Sequence, residues 1–221
     1  MGDMTRIAII GGHGKVALHL STLLAEEGHA VTSFIRNPDH ATDVTETGAT
    51  PAVLDVENST TTALADALQG HDAVVWSAGA GGGNPERTYA VDRDAAIRSM
   101  DAAGQAGVNR YVMVSYLGAR KDHGVPADHG FFAYAEAKAA ADEYLRGTGL
   151  AWTILGPGAL TDKPGTGMIT VDPDPAGERA TSRSNTAIVA AAVLDLPQTA
   201  GKTIEFCDGS LPVAAALESL S

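Results

Sequence analysis

In 221 residues the chain has one cysteine, Cys207. That excludes an internal disulfide and any cysteine-based zinc cluster, and it fits a reducing compartment. Aromatic residues are scarce at 5%, and so are cations, with 15 Lys and Arg against 27 Asp and Glu for a net charge of −12. Such a surface repels phosphate backbones and anionic membranes, so neither nucleic acid nor a membrane is an expected partner. Any bound anion must then be held locally, by backbone N–H groups and a few cations. Long apolar runs are also missing. The N-terminus reads Met1-Gly2-Asp3-Met4-Thr5-Arg6 and then offers four apolar residues before glycine, too few for a signal peptide or a span, and Arg6 breaks the myristoylation pattern. A cytoplasmic protein is expected. No repeat or low-complexity segment occurs.

What is present is an ordinary globular balance, 44% hydrophobic and 19% charged, with 25 glycines that point to many tight backbone positions. The length suits one substantial core, so a single domain over residues 1–221 is expected, as a monomer or homodimer. Short apolar runs alternate with helix-compatible stretches, the pattern of βαβ units around a parallel sheet. Strands are predicted at Ile7 to Ile10, Ala30 to Ile35, Thr50 to Leu54, Ala73 to Trp76, Tyr111 to Ser115, Trp152 to Leu155 and Thr203 to Phe206. Helices are predicted over Val16 to Glu27, stopped by Gly28; from an N-cap at Ser59 through Leu68; over Thr88 to Ala106; and over Phe132 to Arg146. The fold class is therefore α/β, a Rossmann-type doubly wound parallel sheet with helices on both faces. Prolines and glycines crowd residues 156–183, which read as a long loop covering a ligand cleft, with a short strand at Met168 to Val171.

The first strand runs into Gly11-Gly12-His13-Gly14-Lys15-Val16-Ala17, and a helix opens at once. Phosphate can approach a backbone this closely only where side chains are absent, and a helix N-terminus supplies oriented N–H donors. Both Gly12-x-Gly14-x-x-Ala17 and Gly11-x-x-Gly14-x-x-Ala17 fit dinucleotide fingerprints, and their place between strand and helix strengthens them. A P-loop fails at both ends: Ile9 stands where its first glycine belongs, and Val16 where its magnesium-binding hydroxyl belongs. The second strand ends in Ile35-Arg36-Asn37-Pro38, and a cation there accommodates a ribose 2′-phosphate, so NADP(H) is preferred over NAD(H). The bland alternative for Arg36 is a solvated surface arginine. Asp39, beyond Pro38, falls past the strand end.

Ser115 closes the fifth predicted strand, and the next helix contains Tyr134-Ala135-Glu136-Ala137-Lys138. An i, i+4 spacing sets Tyr134 and Lys138 on one helical face. An ammonium beside a phenol favours phenolate and so suits acid–base work at neutral pH, while Ser115 could hold the substrate oxygen. Tyr-x-x-x-Lys occurs once against a chance expectation of about 0.1. An amphipathic helix with a half-buried tyrosine and a snorkelling lysine remains the alternative.

With these motifs the chain resembles the short-chain dehydrogenase/reductase superfamily, and more closely its atypical, NmrA-like NAD(P)-binding branch. The likeness covers nearly the whole length, through Ile7 to Ala17, Arg36-Asn37-Pro38, Leu54-Asp55-Val56, Ser77-Ala78-Gly79, Val114-Ser115, Tyr134 to Lys138 and Trp152 to Gly158 with Leu160 to Gly167. The resemblance implies that Gly11, Gly14 and the backbone of Lys15 and Val16 meet the pyrophosphate, with Gly12 and His13 of the same turn also expected among the cofactor-binding residues. It also implies Arg36 at the 2′-phosphate, Asp55 and Val56 at the adenine, and Ala78, Gly79 and Lys138 at the nicotinamide ribose. In catalytic members Tyr134 would protonate a carbonyl oxygen oriented by Ser115 while hydride arrives from the nicotinamide. The implied activity is NADPH-dependent reduction of a small ketone, aldehyde, quinone or flavin. A non-catalytic NADP(H) sensor is the alternative, and a sugar-nucleotide epimerase is disfavoured by the short chain.

Two departures concern substrate preference. Gly156 stands where the family commonly has arginine before Pro-Gly, which removes a cation from the cleft rim, and Arg183-Ser184-Asn185-Thr186-Ala187 replaces an Arg-x-Asp-Val-Ala segment. Asp122-His123 and Asp128-His129 lack a preset metal geometry, so no metal is expected there, and a mobile loop beside the substrate is the preferred reading. The glycine run from Gly79 to Pro85 reads as a hinge or a linker, and no Gly-x-Ser-x-Gly hydrolase elbow occurs.

Overall fold

The first strand, β1 (Arg6–Ile10), lies in register between β2 (Ala30–Ile35) and β4 (Ala73–Trp76), parallel to both. This is the computed structural model of the chain, and it describes residues 4–81, 84–174, 176–177 and 179–220. Met1 to Asp3 of the N-terminal reading, Gly82 and Gly83 of the glycine run and Pro175 of the loop lie outside these residues. Outward from β2 the sheet adds β3 (Thr50–Val53); outward from β4 it adds β5 (Arg110–Val114), β6 (Ala151–Pro157) and β10 (Lys202–Asp208), all parallel. The order β3-β2-β1-β4-β5-β6 reverses direction between β1 and β4, where doubly wound sheets open a ligand crevice. The far edge departs from the expected all-parallel sheet: β8 (Met168–Val171) runs antiparallel to β10, and β11 (Leu211–Pro212) antiparallel to β8. The connection between β8 and β10 returns the chain to that edge, and an antiparallel edge strand on a parallel sheet is a common way to end one.

The strands read as unbroken apolar runs because both faces of the sheet are covered. Along β1, Ile7 and Ile9 pack with Leu20 and Leu24 of α1 (Lys15–Glu26) and with Val189 and Val193 of α7 (Arg183–Leu194). Ala8 and Ile10 pack on the opposite face with Leu64 and Leu68 of α3 (Thr61–Leu68), Met100 of α5 (Ala96–Ala106) and Leu145 of α6 (Phe132–Arg146). Each such aliphatic side chain contributes about 1.5–3 kcal/mol by leaving water. Two short helices, α2 (Ala41–Glu46) and α8 (Val213–Glu218), lie on the first of these faces through Val44 and Leu217.

Three readings of the sequence are corrected. The N-cap of α3 is Thr60, whose hydroxyl accepts from the Ala63 amide, while the Ser59 hydroxyl donates to the Asp55 carbonyl. The helix expected from Thr88 starts earlier, at α4 (Pro85–Thr88), because Asn84 caps it and Pro85 suits a first turn. It then widens into a π-helical turn over Tyr89–Ala95 before α5, which seats Asp92 inside the protein at 1% exposure. Residues 156–183 are more ordered than a loop: β6 runs on to Pro157, and β7 (Ala159–Thr161) pairs in parallel with β9 (Ala180–Ser182) as a separate two-stranded ribbon.

Candidate active site

Two clefts lie along the carboxyl ends of the parallel strands. The first, of about 300 Å³, is walled by the ends of β1 to β4 and includes Gly11, His13, Gly14, Arg36, Asp55 and Val56. Its floor is the glycine turn. Gly11 has φ +86°, and a Cβ there would stand 2.5 Å from the Ala78 Cα; a Cβ on Gly12 would stand 2.5 Å from the Ser33 Cβ. These two glycines let the turn sit down on β2 and on the end of β4, while the Gly11 and Gly12 amides both donate to the Phe34 carbonyl. Gly14 is the N-cap of α1 with no side-chain cap, so the first amides of the helix, those of Lys15 and Val16 among them, have no internal acceptor. An anion is the natural partner of such a terminus. Gly11→Ala is expected to cost about 1–3 kcal/mol of stability through a left-handed backbone and a backbone collision. Thermal melting beside NADPH titration would show both losses, and unchanged values would exclude this role.

Arg36 is exposed and donates to the Glu57 carboxylate at 3.3 Å; Arg87 meets the same oxygen at 3.2 Å and also donates to the Ala80 carbonyl. Glu57 and Arg87 escaped the sequence reading. The first adjoins the Leu54-Asp55-Val56 step, but nothing local says that Arg87, thirty residues on, returns to it. Asp55 is partly committed: its carboxylate accepts from the Glu57 amide and from Asn58 Nδ2, holding the turn after β3. His13 Nε2 lies 2.7 Å from Asp43, and its ring stacks on His40 at 3.6 Å. Lys15 points away from the first cleft. Its Nζ meets Asp162 at 2.7 Å, Arg183 meets the other oxygen of that carboxylate at 2.8 Å, and the two cations hold the Asp162 carboxyl below its ordinary value, Lys15 foremost.

The second cleft, of about 620 Å³, adjoins the ends of β5 and β6 and contains Ser115 and Tyr134. Around it Tyr116, Phe131 and Tyr134 form a triangle of rings with centroids 5.2–5.6 Å apart. Lys138 is on the same helix as Tyr134 but is 1% exposed, and its Nζ donates to the Val114 carbonyl at 2.9 Å and lies 3.1 Å from Met113 Sδ. Two carboxylates that the sequence reading missed complete this buried group. Asp142, one turn beyond Lys138, accepts from the Ser115 hydroxyl at 2.5 Å, and Asp92 accepts from the Ala80 amide at 3.0 Å. Burial pushes both carboxyls up, and Lys138 opposes it; burial pulls the Lys138 ammonium down, and Asp142 and Asp92 oppose it.

The expected activation of the phenol is corrected. Tyr134 is pushed above its ordinary value, first by burial and then by Asp92, Asp142 and Tyr116. The two nearby carboxylates disfavour phenolate, so Tyr134 stays protonated at neutral pH and is a donor rather than a base. Gly156 leaves its own position without a cation, but Arg179 and Arg183 bring two to this same cleft. Asp142 had a legible signal, an i+4 acid after Lys138; Asp92 had none, because only the π-helical widening turns it inward.

The loop histidines serve local structure. His123 Nδ1 accepts from the Val125 amide, which leaves Nε2 to donate to Glu136 at 2.8 Å, and His129 Nδ1 accepts from the Phe131 amide. Among the described residues, no helix is long and apolar enough to cross a membrane.

A family model described as NAD(P)H-binding matches residues 11–197. A Bacillus subtilis protein named as an uncharacterized sugar epimerase, YhfK, is 31% identical over 218 residues, covering 97% of this chain and 100% of its own. Among solved structures, a Bacillus halodurans protein described as an NAD-dependent epimerase/dehydratase has TM-score 0.89 at 32% identity, covering 97% of this chain and 99% of its own. The oxidoreductase ylbE from Lactococcus lactis has TM-score 0.86 at 27% identity, covering 97% and 96%.

Proposed function

The chain belongs to the NAD(P)H-binding family, within the atypical short-chain dehydrogenase/reductase group, and from that premise we propose that it is an NADPH-dependent oxidoreductase reducing a small carbonyl, quinone or flavin acceptor. The observation that carries this reading is the adjacency of the two clefts. One has the uncapped helix start and glycine turn of a pyrophosphate site, and the other, two strand ends further along the same sheet edge, has Ser115 and Tyr134. The bound nicotinamide would supply hydride. Around it the chain's own groups would act as follows: the Lys15 and Val16 amides hold the pyrophosphate, Asp92 steadies the Gly79-Ala80 segment at the ribose, and Tyr134 gives a proton to the acceptor oxygen. In this proposal Lys138 and Asp142 act one step behind the reacting atoms, holding the β5 end through the Val114 carbonyl and the Ser115 hydroxyl. Residues 1–221 would work as one domain, as monomer or homodimer.

The test is stopped-flow NADPH oxidation with menadione, riboflavin and simple aldehydes, and absence of turnover with all of them would overturn the reading. NADPH preference is attributed to Arg36. Arg36→Gln is expected to weaken NADPH about tenfold while leaving NADH nearly unchanged, since a charge-assisted contact to the 2′-phosphate is lost. Glu57→Gln should shift the ratio the other way by releasing both arginines from its carboxylate. Equal effects on both cofactors would remove Arg36 from discrimination.

A non-catalytic NADP(H)-responsive regulator is the second reading, favoured by the Ser115 hydroxyl already bonded to Asp142. It predicts no turnover together with calorimetric discrimination between oxidised and reduced cofactor. Chain length no longer argues against an epimerase, because a relative of the same length bears that name. An epimerase would require a sugar-nucleotide site, which the composition of the second cleft does not favour.

A further inference from the structure

We infer that the second cleft takes a flat aromatic or conjugated molecule bearing one anionic group, and that Arg179 with Arg183 fixes that group against the ring-lined wall. As an acceptor site it rests on the hydride-transfer reading above. The first observation is a reversal of charge. The chain carries −12 overall, yet among the described residues the wall of this cleft has two guanidiniums and no carboxylate. A ligand with no negative charge would leave that concentration of cations unused, whereas a carboxylate or sulfonate meets a planar fork of donors.

The backbone holds one of these cations in place. Ala159 donates its amide to the Arg179 carbonyl at 2.9 Å, beside the pairing of β7 with β9, and a Cβ on Gly158 would stand 1.8 Å from that carbonyl oxygen. Only glycine at 158 lets the Arg179 backbone come this close. Among the described residues no hydrogen bond or ion pair engages the Arg179 guanidinium, while Arg183 shares Asp162 with Lys15. Among the described residues Arg179 is therefore the cation of this wall left to a ligand.

The rest of the wall selects the body of the ligand. Tyr116, Phe131 and Tyr134 offer ring faces and edges, and Phe131 and Leu160 remain 39% and 38% exposed. The Tyr116 hydroxyl is buried without a partner among the described residues, which gives the wall an uncommitted donor. A sugar needs several convergent amide or carboxylate groups for its hydroxyls, and among the described residues no Asn, Gln, Asp, Glu or His lines this cleft.

The test is calorimetry of NADPH-saturated protein with 2-naphthoate and its neutral isostere 2-naphthamide, with menadione reduction measured on the same preparation. The acid is expected to bind about tenfold tighter than the amide, the worth of a charged hydrogen bond in a half-open site. Arg179→Gln, an exposed position with no folding role to lose, should remove most of that ratio while melting as the parent does. Equal binding of acid and amide, an unchanged ratio in Arg179→Gln, or no binding of either compound overturns the inference. If menadione is not reduced but the acid preference stands, the hydride reading fails and the anion site survives. If menadione is reduced without any acid preference, the anion site alone fails.

Discussion

Tyr134→Phe is expected to slow NADPH-dependent reduction of an aldehyde or ketone by about 10²–10⁴-fold, the usual worth of a positioned general acid. The same substitution should cost far less with a quinone or flavin, whose conjugated system accepts the electron pair and takes its proton from solvent. The distinction follows from the environment of the phenol. Burial, Asp92 and Asp142 keep Tyr134 protonated, so it has a proton to give, but they also make it a weaker acid than a tyrosine beside a free ammonium. Acceptors that stabilise their own charge are therefore the better matched class. A pH series adds an independent check: because the shift is upward, no loss of rate from tyrosine ionisation should set in below about pH 10. Equal losses for both acceptor classes would mean that Tyr134 acts by packing the cleft rather than by protonation.

Lys138→Met is expected to destabilise the fold by about 3–5 kcal/mol, because it leaves buried carboxylates without their cation. Lys138, Asp92 and Asp142 are all within 1% of full burial, and among the described residues the lysine is the one cation that opposes the upward push on both acids, beside Arg87 at Asp92 and Arg146 at Asp142. The sign of the pH dependence separates this cause from lost packing. Removing the ammonium raises the folded-state carboxyl values further above their unfolded values, so the deficit is small in acid, where both groups are protonated. It grows as pH rises through the raised values. Melting of parent and variant at pH 5 and pH 8 should therefore show the gap widening toward pH 8. A gap that does not change with pH would assign the loss to the missing hydrogen bond to the Val114 carbonyl.

These two residues also mark the limit of what could be read from the sequence. The spacing of Tyr134 and Lys138 correctly places both on α6, and the strand before them ends at Val114, with Ser115 just beyond it. Spacing cannot say whether a lysine four residues on reaches toward the phenol or turns beneath it. Here its Nζ goes to the Val114 carbonyl and Met113 Sδ at the buried end of β5, and the nearby charges of Asp142 and Asp92 favour its ammonium form there. Arg179 and Arg183 likewise lay in a stretch read as loop, and Gly156 suggested one cation fewer at the cleft rim. Only the β7–β9 ribbon brings them to the wall.

The sequence by itself determined the α/β class, the strands from Ile7 through Thr203 and the glycine turn ahead of α1. Each of these rests on local periodicity or on steric demands within a few residues. The tertiary structure alone decided the antiparallel edge at β8 and β11, the sharing of Glu57 by Arg36 and Arg87, and the buried set of Lys138, Asp92 and Asp142. Those depend on charges and backbone groups brought together from distant parts of the chain, and their protonation is governed by burial, which no local pattern encodes.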